Sequence, residues 1–523
     1  MTGSVGRHLR SSATAIGLVT ITLVCAAMLA LPGRAITAAF TNDVLIFLDG
    51  AHRIAWGQLP NRDFHSALGP LVFYIPAVGY WLSGSLGAAM PVGMAVLLVA
   101  FLAPAIRILQ ARLRTSIALA FGGFLVLILA APINLGSPLS LLSFAMFYNR
   151  IGWAALGLLL VMYIRPRQAT HAGDLADAAA AAVLLLLQFY TKATYGLVSI
   201  GFLAFMLLDR QQRSWVLGAL LLTIAGAAFV ELAWRGTWQH VEDLAAAARV
   251  SGGRDLFAFV RSALNNLADI TVYAIAAAVI VWRTRSVRDL LFYCFCAVSG
   301  ILILNQNAHG WGIITLYSGA AVATESACRL LSRKPPDGTS DSASAGNGLP
   351  LLLAFFLLPP SVHHASVLAL HARLAMINAG TSLHLPKLED LRLVAPGASP
   401  DTFMSRYHES ITKGSRLMQS LSPPPERVVV LDFVNPFSAG LGLRPPIGDS
   451  AWLHWGRNVD EKTHLPPEAL LADAEIVMIP KVGINSTPLQ QIYGPFISRE
   501  FDLLQESDTW IVYRKRETGD PKQ

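Results

Sequence analysis

The 523-residue chain contains few charged residues, since Asp, Glu, Lys and Arg make up 14% of it, against about 25% in soluble globular proteins. It has only four cysteines, all within apolar runs and none after residue 366, so its last part has no disulfide framework. It contains no phosphate-binding P-loop, no dinucleotide-binding glycine pattern and no metalloprotease histidine pair. These absences argue against a soluble enzyme, a disordered chain and a nucleic-acid-binding protein, and we expect neither a metal nor another cofactor.

Apolar residues dominate the chain, but the charged residues among them are unevenly distributed. Hydrophobic residues make up 54% of the sequence, and the mean hydropathy is +0.50. Residues 1–366 contain 39 charged side chains, whereas the 157 residues from 367 to 523 contain 34. This step predicts a membrane domain, 1–366, followed by a water-soluble domain, 367–523. The net charge of +7 comes largely from arginines in short loops, where basic residues set membrane orientation.

Long apolar runs predict helices that cross a membrane, each of which needs about 20 mostly apolar residues. We take the first run as a retained anchor, because its apolar core is longer than that of a signal peptide. The eleven predicted spans lie near residues 13–33, 91–110, 115–133, 151–164, 176–191, 193–208, 214–234, 268–282, 289–305, 310–330 and 349–366.

An additional apolar stretch, residues 67–86, is ambiguous, since Pro70, Pro76 and Gly79 interrupt it as in a re-entrant or interfacial helix. If it does not cross, all the basic loops fall in the cytoplasm, as the positive-inside rule requires. If it does cross, every basic group after the first moves outside. The basic groups are Arg7 and Arg10; Arg107, Arg112 and Arg114; Arg165 and Arg167; Arg210 and Arg213; Arg283, Arg285 and Arg288; and Arg329, Arg333 and Lys334.

The predicted fold is therefore an α-helical polytopic protein of the cytoplasmic (inner) membrane, with about eleven transmembrane helices and a cytoplasmic amino terminus. A small extracytoplasmic (periplasmic) α/β domain follows, in which residues 427–433, 475–480 and 509–514 have the composition of short strands. Residues 333–348 resemble a flexible cytoplasmic linker. The segments expected outside are 34–90, 134–150, 235–267, 305–309 and 367–523.

The first outside segment places acidic residues just beyond an anchor helix. A carboxylate at the boundary of water and lipid can cap a helix, pair with a basic residue or act as a general base. Asp43 lies near a predicted helix start, where a carboxylate is favoured in any case, so capping and catalysis are both open. Asp49 has Arg53 four residues later, which predicts a helical ion pair. Asp63, flanked by Arg62 and followed by His65, either braces the loop or contacts substrate.

The same segment resembles a family. Its spacing of an early acid, glycines and a Gly-Gln-Leu-Pro-x-Arg-Asp-Phe run is similar to that of the GT-C integral-membrane glycosyltransferases, nearest to their protein-mannosyltransferase and aminoarabinose-transferase-like branch (family 39). Many members have two adjacent acids, where this chain has Asn42 and Asp43. The matching residues are Asp43, Gly50, Gly57, Gln58, Leu59, Pro60, Arg62, Asp63, Phe64, Gly69, Pro70, Leu71 and Tyr74.

The resemblance implies a multi-span enzyme whose donor is a sugar carried on a polyprenyl phosphate. No nucleotide-sugar pool exists outside the cytoplasmic membrane, so a donor held in the lipid suits the predicted topology. In such a reaction a base removes the proton of the acceptor hydroxyl, and cations stabilise the departing phosphate. The resemblance thus makes Asp43 the candidate general base, with Arg62, Arg150 and Lys192 as candidate phosphate partners, and Asp63 and His65 as further substrate-binding residues.

Other polar groups lie at or near the predicted membrane boundary, where charges are costly. Arg150 either binds phosphate as a fork or marks the interface, and Lys192 is either a ligand or a lysine that reaches toward the headgroups. The segment 235–267 is either an amphipathic helix at the membrane or a wall of the acceptor groove. A polar plug between two spans either binds sugar hydroxyls or forms a tight turn; it contains Asn305, Asn307 and His309.

Three functions remain open, besides a purely structural scaffold. The first is transfer of a sugar from a lipid-linked donor to a glycan, lipid or protein acceptor, with membrane lipid as a further partner and no nucleic acid. The second is a polysaccharide polymerase or ligase of the same envelope pathway, with its chemistry in 235–267. The third is a lipid-linked-sugar flippase or other transporter, which the absence of an internal repeat argues against.

Overall fold

The computed structural model describes residues 2–251, 256–306, 312–332, 341–394 and 403–516. Over these ranges the helices are α1 (Thr2–Ala30), α2 (Thr41–Ala55), α3 (Leu71–Ser83), α4 (Ala89–Arg112), α5 (Thr115–Ala130), α6 (Phe147–Leu160), α7 (His171–Thr191), α8 (Ala193–Met206), α9 (Arg213–Trp234), α10 (Thr237–Val250), α11 (Leu256–Asn265), α12 (Leu267–Thr284), α13 (Val287–Gln306), α14 (Ile314–Leu331), α15 (Asp341–Met376), α16 (Phe403–Ser420), α17 (Phe437–Leu441), α18 (Pro467–Leu470) and α19 (Ser486–Glu500). Short 3₁₀ helices cover Val161–Tyr163 and Pro386–Leu388.

Seven of these helices are long and apolar enough to cross a membrane: α1, α4, α7, α9, α12, α13 and α15. Three shorter apolar helices, α3, α5 and α8, accompany them. On the outside of the bundle, large apolar side chains such as Leu221, Ile224 and Phe229 of α9 are exposed, as expected where lipid tails cover a helix. The protein is therefore helical and of membrane-embedded character.

Two predicted spans, 151–164 and 310–330, correspond to helices at the centre of the bundle. In α6 every residue except Tyr148 is buried, and α14 is buried without a break from Ile314 to Val322. Both helices pack against protein on all sides, so their own length and apolar composition do not have to match the bilayer. This explains why neither is among the long apolar helices.

Seven of the arginines predicted to share one side lie together at one end of the bundle, here called the arginine end. Three buried acids hold them. The ion pairs are Asp177 with Arg107 and Arg112 at 2.9 and 2.6 Å, Asp209 with Arg165 and Arg288 at 2.9 and 3.0 Å, and Glu325 with Arg114, Arg167 and Arg329 at 3.5, 3.2 and 3.0 Å. The loops that follow α4, α6, α8, α12 and α14 are thereby tied to one another.

The segment from residue 31 to 88, here called the loop segment, begins and ends at the opposite end of the bundle. Strand β1 (Ala35–Thr37) pairs in parallel with β2 (Leu391–Leu393). The Ser85 hydroxyl, at the far end of the loop segment, donates to the carboxylate of Asp390 at 2.6 Å. Both ends of the segment therefore lie beside residues 390–391, and α2 and α3 return to the end of the bundle from which the segment started. We call this the Asp43 end.

Helix α3, the ambiguous stretch of the sequence, contains Pro76 and packs closely against α4. A Cβ atom at Gly79 would lie 1.9 Å from the carbonyl oxygen of Ala89, and one at Gly93 would lie 2.2 Å from the carbonyl oxygen of Ile75. The two glycines thus permit a backbone contact of the kind that small residues provide between membrane helices.

Replacing Gly79 with Ala is expected to lower the free energy of unfolding by at least about 1–3 kcal/mol, because the added methyl group forces the two backbones apart. The measurement is thermal unfolding of the detergent-solubilised protein. Gly348→Ala is the matched control, since a Cβ there has no atom within 4 Å and alanine favours a helix. Equal stability of the two variants would rule out the close contact.

The carboxyl-terminal region contains a four-stranded sheet in the order β3-β4-β6-β5, with β3 and β4 parallel and the other neighbours antiparallel. Its strands are β3 (Val428–Val430), β4 (Ile476–Pro480), β5 (Phe501–Glu506) and β6 (Trp510–Lys515). Strands are present at the three predicted positions. The sequence analysis did not predict β5, because all its residues after Phe501 are exposed and carry no apolar alternation.

The linker predicted at 333–348 differs from the structure where the two can be compared. Residues 333–340 lie outside the described residues, and from Asp341 the chain is helical and continues as α15. Ser, Ala and Asn accompany the two glycines of this stretch, and alanine favours a helix. The polar composition that suggested a linker therefore belongs to the first turns of a long helix.

Candidate functional site

Asp43 lies in the first turn of α2, at the Asp43 end of the bundle. The helix begins after Phe40, whose backbone is left-handed (φ 54°), and no side chain caps it. In the described part of the chain no hydrogen-bond or ion-pair partner of the partly exposed Asp43 carboxylate is found. Its oxygens are thus not occupied by helix capping, although the first turn still favours a negative charge.

The positive charge of Arg457 acts on this carboxylate, on Lys192 and on Tyr148, which come from distant parts of the sequence. Burial raises the pKa of Asp43 to about 7, and the nearby positive charge of Arg457 opposes that rise. Burial lowers the pKa of Lys192 to about 7, and Arg457 lowers it further. Tyr148 is close enough for the charges of Asp43 and Arg457 both to act on its hydroxyl. Arg457 therefore links Asp43, Lys192 and Tyr148 into one site.

Lys192 is held between α7 and α8 in an aromatic environment. Its ammonium group lies 3.1 Å from the side-chain oxygen of Asn149 and 5.3 Å from the centre of the Tyr148 ring, a cation–π distance. The backbone amide of Gly69 donates to the carbonyl of Thr191 at 3.2 Å, and a Cβ at Gly69 would clash with the backbone of Tyr190. The loop segment is thereby pressed against the residues just before Lys192.

Helix α16 forms another wall of the site. The imidazole Nε2 of His408 lies 3.0 Å from the hydroxyl of Thr41. Tyr407 is buried next to it, and burial together with the negative charges of Asp432 and Asp43 raises its pKa well above the usual value. Tyr407 therefore remains a neutral phenol beside Asp43.

Arg457 lies at the tip of a tight turn, residues 454–459, that faces the site. The amide of Arg457 donates to the carbonyl of His454 at 3.0 Å, and Asn458 accepts from the amide of His454 at 2.7 Å. Gly456 has a positive φ of 75°, which suits the turn. The Arg457 side chain is exposed and has no ion-pair partner in the described part of the chain, so its charge is open to a ligand.

A buried ion network fastens α2 to the carboxyl-terminal region beneath the site. Arg53 is fully buried and binds Asp49 at 2.7 Å and Asp449, through two nitrogens, at 2.6 and 2.8 Å. It also donates to the carbonyl of Pro446 at 3.0 Å. The predicted pairing of Asp49 with Arg53 is confirmed, and Asp449 completes it from 396 residues away. The network fixes the position of α2, and hence that of Asp43.

The structure places Arg62, Asp63 and His65 on a turn next to this network. The carboxylate of Asp63 accepts from the amide of Leu59 at 2.7 Å, so it braces the loop, and Arg62 is exposed. The imidazole Nδ1 of His65 lies 2.8 Å from a carboxylate oxygen of Asp243, and its backbone amide donates to Asp449 at 2.8 Å. These residues join the loop segment to α10 and to the carboxyl-terminal region.

The remaining predicted ligands lie elsewhere or outside the described residues. Arg150 is buried and donates to the carbonyl oxygens of Leu129, at 3.1 Å, and Ala131, so it closes the end of α5. Asn305 is partly buried near the end of α13. Asn307 and His309 lie outside the described residues.

An apolar cavity of about 670 Å³ opens between α3, α7 and α9. Tyr190, two residues before Lys192, forms part of its wall, as do Pro70 and Trp234. The indole nitrogen of Trp234 donates to the carbonyl of Pro60 at 2.6 Å. The loop segment therefore covers one end of this cavity, close to the cluster of Asp43 and Lys192.

The sequence does not predict Arg457, Tyr407 and His408 as site residues. They lie in the carboxyl-terminal region, more than 350 residues after Asp43, and no motif marks them. In the described ranges no group of three or more His, Cys, Asp and Glu residues is placed to hold a metal ion. What the site offers is a carboxylate that titrates near neutral pH next to two cations and hydroxyl groups.

Comparison with known protein families finds no family model that matches the chain. Comparison with curated proteins finds no significant match either.

Proposed function

We propose that the protein is a membrane-embedded glycosyltransferase that transfers a sugar from a polyprenyl phosphate to a hydroxyl group of an envelope glycan, lipid or protein. Asp43 takes the proton of the acceptor hydroxyl, whose oxygen forms a bond to the anomeric carbon of the donor. The bond from that carbon to the phosphate oxygen breaks, and the polyprenyl phosphate leaves with the electron pair. Lys192 and Arg457 stabilise the charge that develops on it.

The observation that carries this proposal is the grouping of Asp43, Lys192 and Arg457. A general base works best when its pKa lies near the working pH, and burial raises the pKa of Asp43 to about 7. The two cations match the charge of a phosphate. Asp43 lies on the loop segment, Lys192 at the α7–α8 junction and Arg457 on the carboxyl-terminal turn 454–459, and of the three Arg457 is the exposed one.

The apolar cavity beside Tyr190 supports a donor that is anchored in lipid. A prenyl chain is apolar throughout, and such chains gain free energy from burial at roughly 25 cal/mol per Å². A chain lying between α3, α7 and α9 would end next to Lys192, where its phosphate finds a positive charge. A nucleotide-sugar donor would leave this cavity without a use.

We further propose eleven crossings, made by the seven long apolar helices together with α5, α6, α8 and α14. The arginine end then faces the cytoplasm, as the positive-inside rule requires. The Asp43 end faces outward, with residues 367–523 as an extracytoplasmic α/β domain on the cytoplasmic (inner) membrane. The return of the loop segment to residues 390–391 supports this arrangement, because a segment that starts and ends at the same end of the bundle does not cross the membrane between residues 67 and 86.

The proposal is tested with the purified full-length protein in liposomes that contain a polyprenyl phosphate with a radiolabelled sugar, together with an envelope extract as acceptor. We expect label to move from the lipid to the extract. Lys192→Met should lower kcat/KM by at least about 100-fold, because removing one preorganised donor from a site of charge development has an effect of that size. Lys192→Arg keeps the charge and should retain more activity.

Lys481→Met is the matched control, since Lys481 forms an exposed pair with Glu506 at 2.7 Å and such pairs contribute little. If the wild-type protein leaves the label on the lipid with every extract tried, the transferase proposal is wrong. If Lys192→Met transfers at the rate of Lys481→Met, Lys192 has no part in it.

A further inference from the structure

A second cavity, of about 270 Å³, is lined in part by the turn 454–459. The loop segment contributes His65 to its wall, α10 contributes Asp243 and Arg249, and the carboxyl-terminal region contributes Lys462 and Thr463. Most of these side chains are polar, and the volume is close to the lower limit of about 300 Å³ for small-molecule sites. The cavity is therefore suited to a ligand of about one sugar unit.

Asp243 is the one acid among the described residues of the cavity wall, and four groups contact its carboxylate. Asp243 accepts from Asn61 at 2.9 Å, from the amide of Ser66 at 2.9 Å and from Gln239 at 3.2 Å, and it pairs with His65 at 2.8 Å. The hydrogen bond to Asp243 raises the pKa of His65, and the same contact lowers that of Asp243. When His65 is protonated, the two form an ion pair without net charge, which does not repel an anion.

Among the described residues of this wall, Arg249 and Lys462 are both positively charged. Both side chains are exposed, and neither has an ion-pair partner in the ranges that the structure describes. Two unpaired cations on either side of a polar cavity favour an anionic ligand. Arg249 in particular offers a planar fork of donors that fits a carboxylate or a phosphate.

The cavity and the Asp43 site share the turn 454–459. Asn458 lines the cavity, while the neighbouring Arg457 acts on Asp43, Lys192 and Tyr148. The side-chain amide of Asn458 also donates to the carbonyl of Trp452 at 3.0 Å, which fixes the turn. The turn therefore connects the wall of the cavity with the cation that acts on Asp43.

We propose that this cavity binds an acidic sugar unit of the acceptor, one that carries a carboxylate or a phosphate, between Arg249 and Lys462. This inference rests on the proposed glycosyl transfer, for which it names the acceptor class. Thr463 and His65 lie where they can bind the hydroxyl groups of that unit. The acceptor hydroxyl that attacks then belongs to the unit or to its neighbour over Asp43.

The test measures binding of three probes to the full-length protein in nanodiscs without any donor: methyl glucuronide, glucose 6-phosphate and neutral methyl glucoside. We expect each anionic probe to bind about tenfold or more tightly than the glucoside, as charge-assisted hydrogen bonds exceed neutral ones. In the double variant R249Q/K462Q this preference should disappear. The matched control is Arg261→Gln, which changes an exposed arginine of α11 outside the cavity and should keep the preference.

Equal binding of the three probes to the wild-type protein overturns the inference, and so does a preference that survives in R249Q/K462Q. A preference for only one of the two anions keeps the site and decides between a carboxylate and a phosphate. Because no donor is present, the result is independent of the transferase assay. If the anion preference holds while no lipid-linked sugar is transferred, the acidic-sugar site stands and the proposed function fails.

Discussion

Replacing Asp43 with Asn is expected to lower kcat/KM for sugar transfer by about 10²–10⁴-fold, the range over which a general base contributes. Asparagine has nearly the same shape and cannot accept the proton of the acceptor hydroxyl. The assay is the liposome transfer of labelled sugar, with binding of the lipid-linked donor measured in parallel. Donor binding should persist, because Lys192 and Arg457 are unchanged.

The same substitution should leave the protein as stable as before, or slightly more stable. Burial raises the pKa of Asp43 to about 7, so the folded protein disfavours the charged form that the unfolded chain carries at neutral pH. The neutral amide of asparagine carries no charge and therefore does not add this unfavourable contribution to the free energy of folding. Lower activity together with undiminished thermal stability distinguishes a catalytic group from a structural one. Asp508→Asn, at an exposed surface pair, is the control for activity.

The dependence of kcat/KM on pH provides an independent check on Asp43 and Lys192. Asp43 must be deprotonated to act as a base, so kcat/KM should rise as the pH approaches about 7 from below. Lys192 must be protonated to bind phosphate, and its pKa is lowered to about 7, so the rate should fall above that value. Asp43 and Lys192 lie in one site, so the rising and falling parts of the pH profile belong to the two residues together rather than to either one alone.

In Lys192→Arg the fall above pH 7 should vanish while the rise below it remains, because a guanidinium keeps its charge at all these pH values. If the pH profile of Lys192→Arg is identical to that of the wild-type protein, Lys192 does not cause the fall in kcat/KM above pH 7.

The parts of this site that the sequence predicts are the local ones. The pairing of Asp49 with Arg53 follows from a spacing of four residues on a helix, and the position of Asp43 follows from its place after an anchor helix. Long apolar runs locate the long apolar helices, and short runs with the composition of strands locate three strands of the sheet. Each of these signals lies within a window of some 20 residues.

The parts that escape the sequence are contacts between distant segments. Asp449 binds Arg53 across 396 residues, and Arg457 faces Asp43 from a turn that no pattern connects with it. Arg150 looked like a phosphate ligand because it is a charge at the membrane boundary, whereas its guanidinium binds backbone carbonyls of Leu129 and Ala131. A single sequence reports that a charge is unusual, but its partner is decided by tertiary packing.

Replacing Asp449 with Ala is expected to have the largest effect on stability. It should lower the free energy of unfolding by about 3–5 kcal/mol, because the buried Arg53 keeps only one of its two carboxylate partners. Arg53 donates two hydrogen bonds to Asp449 and one to Asp49. The loss should therefore be greater for Asp449→Ala than for Asp49→Ala. The measurement is thermal unfolding of the solubilised protein, with limited proteolysis of the carboxyl-terminal region as a second reading.

Asp502→Ala is the matched control, since Asp502 pairs with Arg516 at 2.8 Å with both side chains about half or more exposed (69% and 49%), and exposed pairs contribute about 0–1 kcal/mol. A triple variant R53M/D49L/D449L replaces the whole network by apolar side chains and should recover much of the loss, since no buried charge remains unpaired. The carboxyl-terminal region should then still cover α2, while Asp43 and Arg457 are held together less rigidly. If the network fastens α2 to the carboxyl-terminal region, the triple variant is more stable than Asp449→Ala but transfers sugar more slowly than the wild-type protein. If Asp449→Ala unfolds at the temperature of Asp502→Ala, the network does not fasten the two parts of the chain.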